Sequence, residues 1–210
     1  MRYNYALHRF VMPIFLHGDL GHLCSNIIAQ LMIGSNLEPD IGVRKFLTLY
    51  MLSGIGGVTF SAMCTDTLSV GASTAVFGLS GAYVAFIILN YHYLSSRPDK
   101  LCQVILFLLI SILLSVLLGA KNIDVLGHLG GFITGAICGH WLLPCLETDM
   151  AKLSRARTIS TFAKVLTVIW FVTMLSVFYL AREPVDKMLG SGGVTVSDSA
   201  LSGAEKSEAA

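Results

Sequence analysis

Apolar residues are grouped into six long segments that short polar connections separate. Each segment has roughly 18 to 22 residues, enough for a helix to cross a hydrocarbon core of about 30 Å. The first is the most polar of the six. The pattern predicts an all-α polytopic membrane protein with six transmembrane helices. The predicted spans are Leu20–Leu37, Phe46–Cys64, Val70–Tyr91, Leu101–Leu118, Val125–Leu143 and Phe162–Leu180.

The composition supports this interpretation and excludes other classes of protein. Of the 210 residues, 54% are hydrophobic and 13% charged, against about 25% charged in a soluble domain. A net charge of +1 excludes a nucleic-acid partner, which requires a concentrated basic face. The five cysteines are scattered without a C-x-x-C pair, so we expect no metal site and no cofactor. The lipid bilayer is the expected environment.

Basic residues are distributed unevenly between the two sides of the predicted bundle. The connections after spans one, three and five carry seven of them: Arg44, Lys45, Arg97, Lys100, Lys152, Arg155 and Arg157. The connections after spans two and four carry Lys121 alone. The positive-inside rule makes the first group cytoplasmic, so both termini lie outside. Residues 146–161 are then a charged cytoplasmic linker, 162–181 an additional transmembrane helix and 182–210 a disordered polar tail. Which membrane holds the protein is left open, with the secretory pathway or plasma membrane favoured.

Four polar side chains share one predicted depth. Spans one, three and five run from outside to inside, and His22 and Asn26, Ser73 and His128 lie in their first turns. A serine becomes a nucleophile when a histidine accepts its proton, and Asn and His side chains can stabilise an oxyanion. We therefore interpret Ser73 and His128 as a catalytic dyad, with His22 and Asn26 at the oxyanion. The alternative is that these side chains only pack or bond neighbouring helices.

Small residues around these positions favour close helix packing. In "GAST" Gly71 allows another backbone to approach the start of the serine helix, and Gly127, Gly131 and Gly135 form a ridge at i, i+4 and i+8. This ridge is predicted to bring His128 against the serine helix. Phe77, one turn beyond Ser73, is placed to support the histidine ring. Asp124 precedes His128 by four residues and is interpreted as part of a solvated connection, so the predicted dyad has no acidic third member.

Three segments together resemble the rhomboid intramembrane serine proteases. They are "FLHGDLGHLCSN", "GASTAVFG" and "GHLGGFITG", in the family's order, and the resemblance covers roughly residues 9 to 145. It implies a rhomboid-like helical bundle with a water-filled cavity open to the outer side. It implies Ser73 as nucleophile, His128 as base, and His22, Asn26 and the Ser73 backbone N–H at the oxyanion. The implied substrates are single-span membrane proteins, cut near the outer membrane boundary.

The resemblance has two departures. Thr74 stands where the family most often has glycine, and its branched side chain is expected to crowd the oxyanion side. The family's first transmembrane helix has no counterpart, so residues 1–145 would form a catalytic domain without it, in a truncated sequence or an unusually short relative. An inactive relative that binds membrane clients and affects their trafficking or degradation is the main alternative. A small transporter or channel would distribute polar residues over the full membrane depth instead.

Overall fold

The structure is a computed structural model that describes residues 7–65, 70–91, 124–146 and 148–180, and residues 99, 102, 105, 106 and 109 individually. All regular structure in this part of the chain is helical, which confirms the all-α prediction. Two short 3₁₀ helices, Leu7–Phe10 and Met12–Phe15, precede five α-helices: α1 Leu20–Ile41, α2 Val43–Cys64, α3 Ser73–Leu89, α4 Val125–Leu142 and α5 Met150–Leu180. The predicted span Leu101–Leu118, apart from those individual positions, and the predicted tail 182–210 lie outside the described residues.

Among the described helices, α2, α4 and α5 are long and apolar enough to cross a membrane, and α3 is a shorter apolar helix of 17 residues. The α1 helix coincides with the first predicted span but does not meet the same criterion of length and composition. The reason is its polar content, since it includes His22, Asn26 and Gln30 and ends with Glu38 and Asp40.

The first two helices follow each other almost without a connection. The α1 helix continues to Ile41, four residues beyond the predicted end of its span, and α2 begins at Val43. Only Gly42 lies between them, with a φ of 78°. Glycine adopts positive φ without the steric cost that a Cβ imposes, so one residue is sufficient to end α1 and start α2.

The last helix begins twelve residues earlier than its predicted span. It runs from Met150, so most of the predicted linker 146–161 is helical and continuous with the apolar segment. Lysine, arginine, leucine and alanine are good helix formers, and the segment "MAKLSRARTIS" contains neither glycine nor proline. The basic residues therefore influence where the helix enters the membrane, but they do not lower its helical propensity.

The most extensive helix contact in the described chain is between α3 and α4, where the glycine ridge faces the serine helix. A Cβ at Gly131 would collide with the carbonyl oxygen of Thr74, and a Cβ at Gly135 with that of Gly78. Small residues permit this approach of two backbones. The consequence for the site is that the start of α4 is held directly against the start of α3.

The α5 helix packs against α4 and α2 through two tryptophans. The Trp170 indole donates to Thr134 Oγ1 at 2.9 Å and stacks on Phe60 with ring centroids 5.8 Å apart. The Trp141 indole donates to Thr167 Oγ1 at 3.1 Å. Buried tryptophan N–H groups need such partners, and here each bond joins α5 to α4.

Candidate active site

The structure brings Ser73 and His128 together. Ser73 is the first residue of α3 and His128 lies in the first turn of α4. The distance between Ser73 Oγ and His128 Nε2 is 2.7 Å, a normal length for a strong hydrogen bond. In the described part of the chain, no carboxylate hydrogen-bonds to the His128 ring. The pair is therefore a hydroxyl and an imidazole in direct contact, without a third acidic member.

Phe77 holds the imidazole ring in place. Its ring lies parallel to that of His128, with 4.3 Å between the centroids and 7° between the planes. Phe77 follows Ser73 by one helical turn, so both project from the same face of α3. The stacking restrains the plane of the ring, and the hydrogen bond restrains its rotation within that plane. Together they favour a single orientation of Nε2.

His22 and Asn26 converge on the residue two positions before Ser73. An added Cβ on Gly71 would lie 2.7 Å from His22 Cε1, 2.8 Å from its Nε2 and 3.4 Å from Asn26 Nδ2. Gly71 also has a φ of 122°, a conformation that L side chains rarely adopt. Glycine is thus required at this position both by space and by backbone geometry. The two predicted oxyanion side chains therefore lie beside Gly71, two residues before Ser73.

Asn26 is buried and uses part of its amide within α1. Its Nδ2 donates to the carbonyl oxygen of His22 at 3.0 Å. The amide nitrogen carries two hydrogens, so this bond fixes the side chain while leaving a second donor. His22 lies in the first turn of α1, where its backbone N–H donates to Asp19 Oδ1 at 2.8 Å.

The segment before α1 supports the backbone that leads into Ser73. The Gly71 N–H donates to the carbonyl oxygen of Pro13 at 2.8 Å, and the Ala72 N–H is 3.5 Å from His17 Nε2. The His17 ring packs edge-on against His22, with centroids 5.3 Å apart. His17 therefore contacts both the chain that leads into Ser73 and His22.

The sequence interpretation of Asp124 was wrong. Asp124 is the N-cap of α4, not a solvated connection, and its Oδ1 accepts from the Gly127 N–H at 2.8 Å. The same oxygen accepts from Ser61 Oγ of α2 at 2.8 Å. An aspartate before an apolar helical segment is a recognised start signal, whereas nothing in the sequence marks Ser61. Together they fasten the start of α4, and with it His128, to α2.

Thr74 lies inside the helix bundle. It is 1% exposed, and its side chain packs against Gly57 of α2 and Gly127 of α4. Its hydroxyl is buried and has no hydrogen-bond partner in the described chain. We expected its branched side chain to crowd the oxyanion side. It instead packs between α2, α3 and α4.

Comparison with known proteins identifies the family. The sequence profile of the Rhomboid family, which is described as Rhomboid domain, matches residues 4–145. This is more than half of the chain and includes every residue of the site described above. The chain therefore belongs to the Rhomboid family.

Curated relatives carry protease names. Rhomboid-like protease 1 of Toxoplasma gondii is 38% identical over 133 residues, which cover 62% of this chain and 45% of that protein. Rhomboid-like protease 3 of the same organism is 38% identical over 133 residues, 63% of this chain and 50% of that protein. RHOMBOID-like protein 4 of Arabidopsis thaliana is 37% identical over 130 residues, 61% of this chain and 32% of that protein. The chain thus spans about half or less of the length of these relatives.

Family membership and the apolar helices together define the class of protein. The chain is an integral, multi-pass membrane protein of a family of intramembrane proteases. The relatives' names place hydrolase and protease chemistry at the level of the family.

Proposed function

We propose that this chain is an intramembrane serine protease in which Ser73 is the nucleophile and His128 the general base. The observation that carries the proposal is the 2.7 Å contact between Ser73 Oγ and His128 Nε2. A serine hydroxyl is a weak nucleophile unless a neighbouring base takes its proton. The parallel stacking of Phe77 on the His128 ring supports the same assignment, because a base must keep its nitrogen directed at the hydroxyl.

The proposed reaction follows from these positions. The Ser73 hydroxyl attacks the carbonyl carbon of a peptide bond while its proton passes to His128 Nε2. The protonated ring then donates that proton to the nitrogen of the leaving amine, and the peptide C–N bond breaks. Water next attacks the carbonyl carbon of the acyl-enzyme and gives a proton to His128. His128 then passes this proton to Ser73 Oγ as the ester C–O bond breaks, which releases the carboxylic acid and restores the serine hydroxyl. The ring therefore starts neutral, with its proton on Nδ1 and its lone pair on Nε2.

The proposed oxyanion site lies at the start of α3. No side chain caps this helix, while Asp19 and Asp124 cap α1 and α4. The first backbone N–H groups of a helix and its dipole favour negative charge. We place the Ser73 N–H, the Asn26 amide and His22 around the developing oxyanion, on the support of their convergence at Gly71.

The proposed substrates are single-span membrane proteins, cut near the outer membrane boundary. The support is the position of the dyad in the first turns of two helices, together with the outside location that the basic residues predict for those turns. A helical substrate segment has to unwind before its backbone reaches Ser73, which favours cleavage at small residues.

The test is a cleavage assay with the full chain and a single-span substrate in proteoliposomes, with products located by mass spectrometry. The parent protein is expected to give one cut near the outer boundary of the substrate helix. Ser73→Ala is expected to give none while inserting and unfolding like the parent. Equal cleavage by Ser73→Ala would refute the assignment. The alternative of an inactive client-binding relative predicts retention of the substrate without cleavage by either protein.

A further inference from the structure

A cavity lies at the opposite ends of α3 and α4 from the dyad. It has a volume of about 310 Å³ and lies between the last turns of these helices and one face of α5. The α5 residues that line it recur at helical spacing, so they form a single stripe: Leu153, Ala156, Arg157, Ser160, Thr161 and Lys164. This volume is at the lower end of the range of small-ligand sites.

A buried asparagine joins the two chain segments that line the cavity opposite α5. Asn90, which follows α3, donates to the carbonyl oxygen of Pro144 at 3.1 Å and accepts from the Leu146 N–H at 2.6 Å. Asn90 is 0% exposed, and its bonds join the chain after α3 to the chain after α4. Leu89, Leu143 and Cys145, which line the cavity on this side, are direct chain neighbours of these bonded residues.

The polar lining of the cavity includes two positively charged side chains. Arg157, Lys164 and His140 face it with the hydroxyls of Ser160 and Thr161. No carboxylate is among the described lining residues, and neither Arg157 nor Lys164 forms an ion pair with a described carboxylate. The Thr161 hydroxyl donates to the carbonyl oxygen of Arg157 at 3.1 Å, which leaves the two fixed positive charges and the Ser160 hydroxyl to complement a phosphate, whose oxygens accept several charge-assisted hydrogen bonds.

The depth of the cavity points to a lipid and not to a soluble anion. The apolar segment of α5 begins at Phe162, so Lys164 lies about 3 Å inside it at a rise of 1.5 Å per residue. Arg157 lies about 10 Å from Lys164 along the helix, on the side of the basic linker. The basic stripe thus crosses the predicted cytoplasmic boundary of the membrane, where lipid phosphates lie. Basic pockets between transmembrane helices at this level bind anionic headgroups.

The surface next to the stripe is suited to acyl chains. Val168 and Val172 follow Lys164 by four and eight residues, so they continue the same side of α5 beyond the cavity, and they are 63% and 58% exposed. A lipid whose phosphate contacts Arg157 and Lys164 has its acyl chains directed along this apolar surface. The headgroup would then contact the basic part of α5, and the acyl chains would contact its apolar part.

We propose that this cavity binds the headgroup of an anionic glycerophospholipid of the cytoplasmic leaflet. Arg157 and Lys164 bind the phosphate, and the Ser160 hydroxyl donates to one of its remaining oxygens. The lipid fastens α5 to the ends of α3 and α4, on the side of the membrane away from the dyad. The proposal is independent of the proposed protease activity and uses none of its residues.

The experiment compares lipid retention by native mass spectrometry of the full chain, exchanged from detergent into phosphatidylcholine nanodiscs that contain 10 mol% of phosphatidylinositol 4-phosphate or none. The parent is expected to retain the anionic lipid and to unfold at a higher temperature in its presence, because a ligand that binds only the folded state stabilises it. Arg157→Gln is expected to weaken retention about tenfold, the loss of one charge-assisted contact, and Arg157→Lys to restore much of it.

Arg155→Gln is the matched control. Arg155 is exposed on the same helix, two residues away and outside the cavity, so its removal lowers the net charge equally. Arg155→Gln is expected to retain the lipid within about twofold of the parent. Equal loss in Arg155→Gln and Arg157→Gln would overturn the proposal, because it would show general attraction to a basic surface. Equal binding of soluble glycerol 3-phosphate would overturn the lipid assignment.

Discussion

Removal of the Asp124 side chain is expected to loosen the helix that carries His128. Asp124 accepts two hydrogen bonds on one oxygen, from the Gly127 N–H and from Ser61 Oγ, both at 2.8 Å. Loss of an N-cap costs about 1 kcal/mol, and loss of a hydrogen bond to a charged acceptor costs about 1.5–3 kcal/mol. Asp124→Ala is therefore expected to lower the free energy of unfolding by roughly 2–4 kcal/mol.

The same substitution is expected to slow the reaction of Ser73. The backbone N–H of His128 is bonded to the Asp124 carbonyl at 3.0 Å, so His128 belongs to the turn that the cap holds. If about 1.4 kcal/mol of the lost energy falls on the orientation of His128, labelling of Ser73 by a fluorophosphonate slows about tenfold.

Two variants separate the parts of this effect. Asn caps helices as well as Asp does, so Asp124→Asn is expected to keep the labelling rate within about threefold of the parent. Ser61→Ala removes only the bond between α2 and α4 and is expected to cost about 1–2 kcal/mol. The assays are unfolding titration with SDS and the time course of probe labelling. Parent-like stability and labelling of Asp124→Ala would refute the reasoning, as would an Asp124→Asn variant as impaired as Asp124→Ala.

Three further variants test the packing and the oxyanion site. Gly135→Ala places a Cβ against the carbonyl oxygen of Gly78 and is expected to cost about 1–3 kcal/mol of stability. Gly18→Ala is its control in the same unfolding titration, because a Cβ there meets no atom closer than 4.0 Å. Thr74→Val keeps the shape of the side chain and removes a buried hydroxyl without a described partner, so the midpoint of unfolding is expected to stay equal or rise; a clear fall would reveal a hydrogen bond there. Asn26→Ala removes one proposed oxyanion donor and is expected to lower turnover about a hundredfold while probe labelling of Ser73 stays detectable; unchanged turnover would make Asn26 purely structural.

Much of the fold was predictable because apolar length decides which segments become membrane helices. The α2, α3 and α4 helices end within a few residues of their predicted limits. The start of α5 was missed because basic residues keep a helix out of the membrane without unwinding it. The α1–α2 junction was shorter than predicted because Gly42 alone can make the turn, which depends on its positive φ.

The site was predictable where chemistry and spacing coincide. Ser73 and His128 were paired because a nucleophile needs a base, and Phe77 follows Ser73 by one turn. Ser61 was not predictable, because its partner Asp124 is 63 residues away and only the packing of α2 on α4 brings the two together. The interior position of Thr74 was not predictable for the same reason, because it depends on how α2, α3 and α4 pack together and not on the sequence motif.

The most direct test of the protease proposal is covalent labelling of the purified full chain by a fluorophosphonate, with the modified residue identified by peptide mass spectrometry. The proposal predicts one adduct, on Ser73, that is abolished in Ser73→Ala and reduced to background in His128→Ala although both variants unfold like the parent. A hydroxyl activated by an imidazole at 2.7 Å reacts, whereas a serine that serves only helix packing does not. An adduct on another residue, or labelling of His128→Ala at the parent rate, would contradict it.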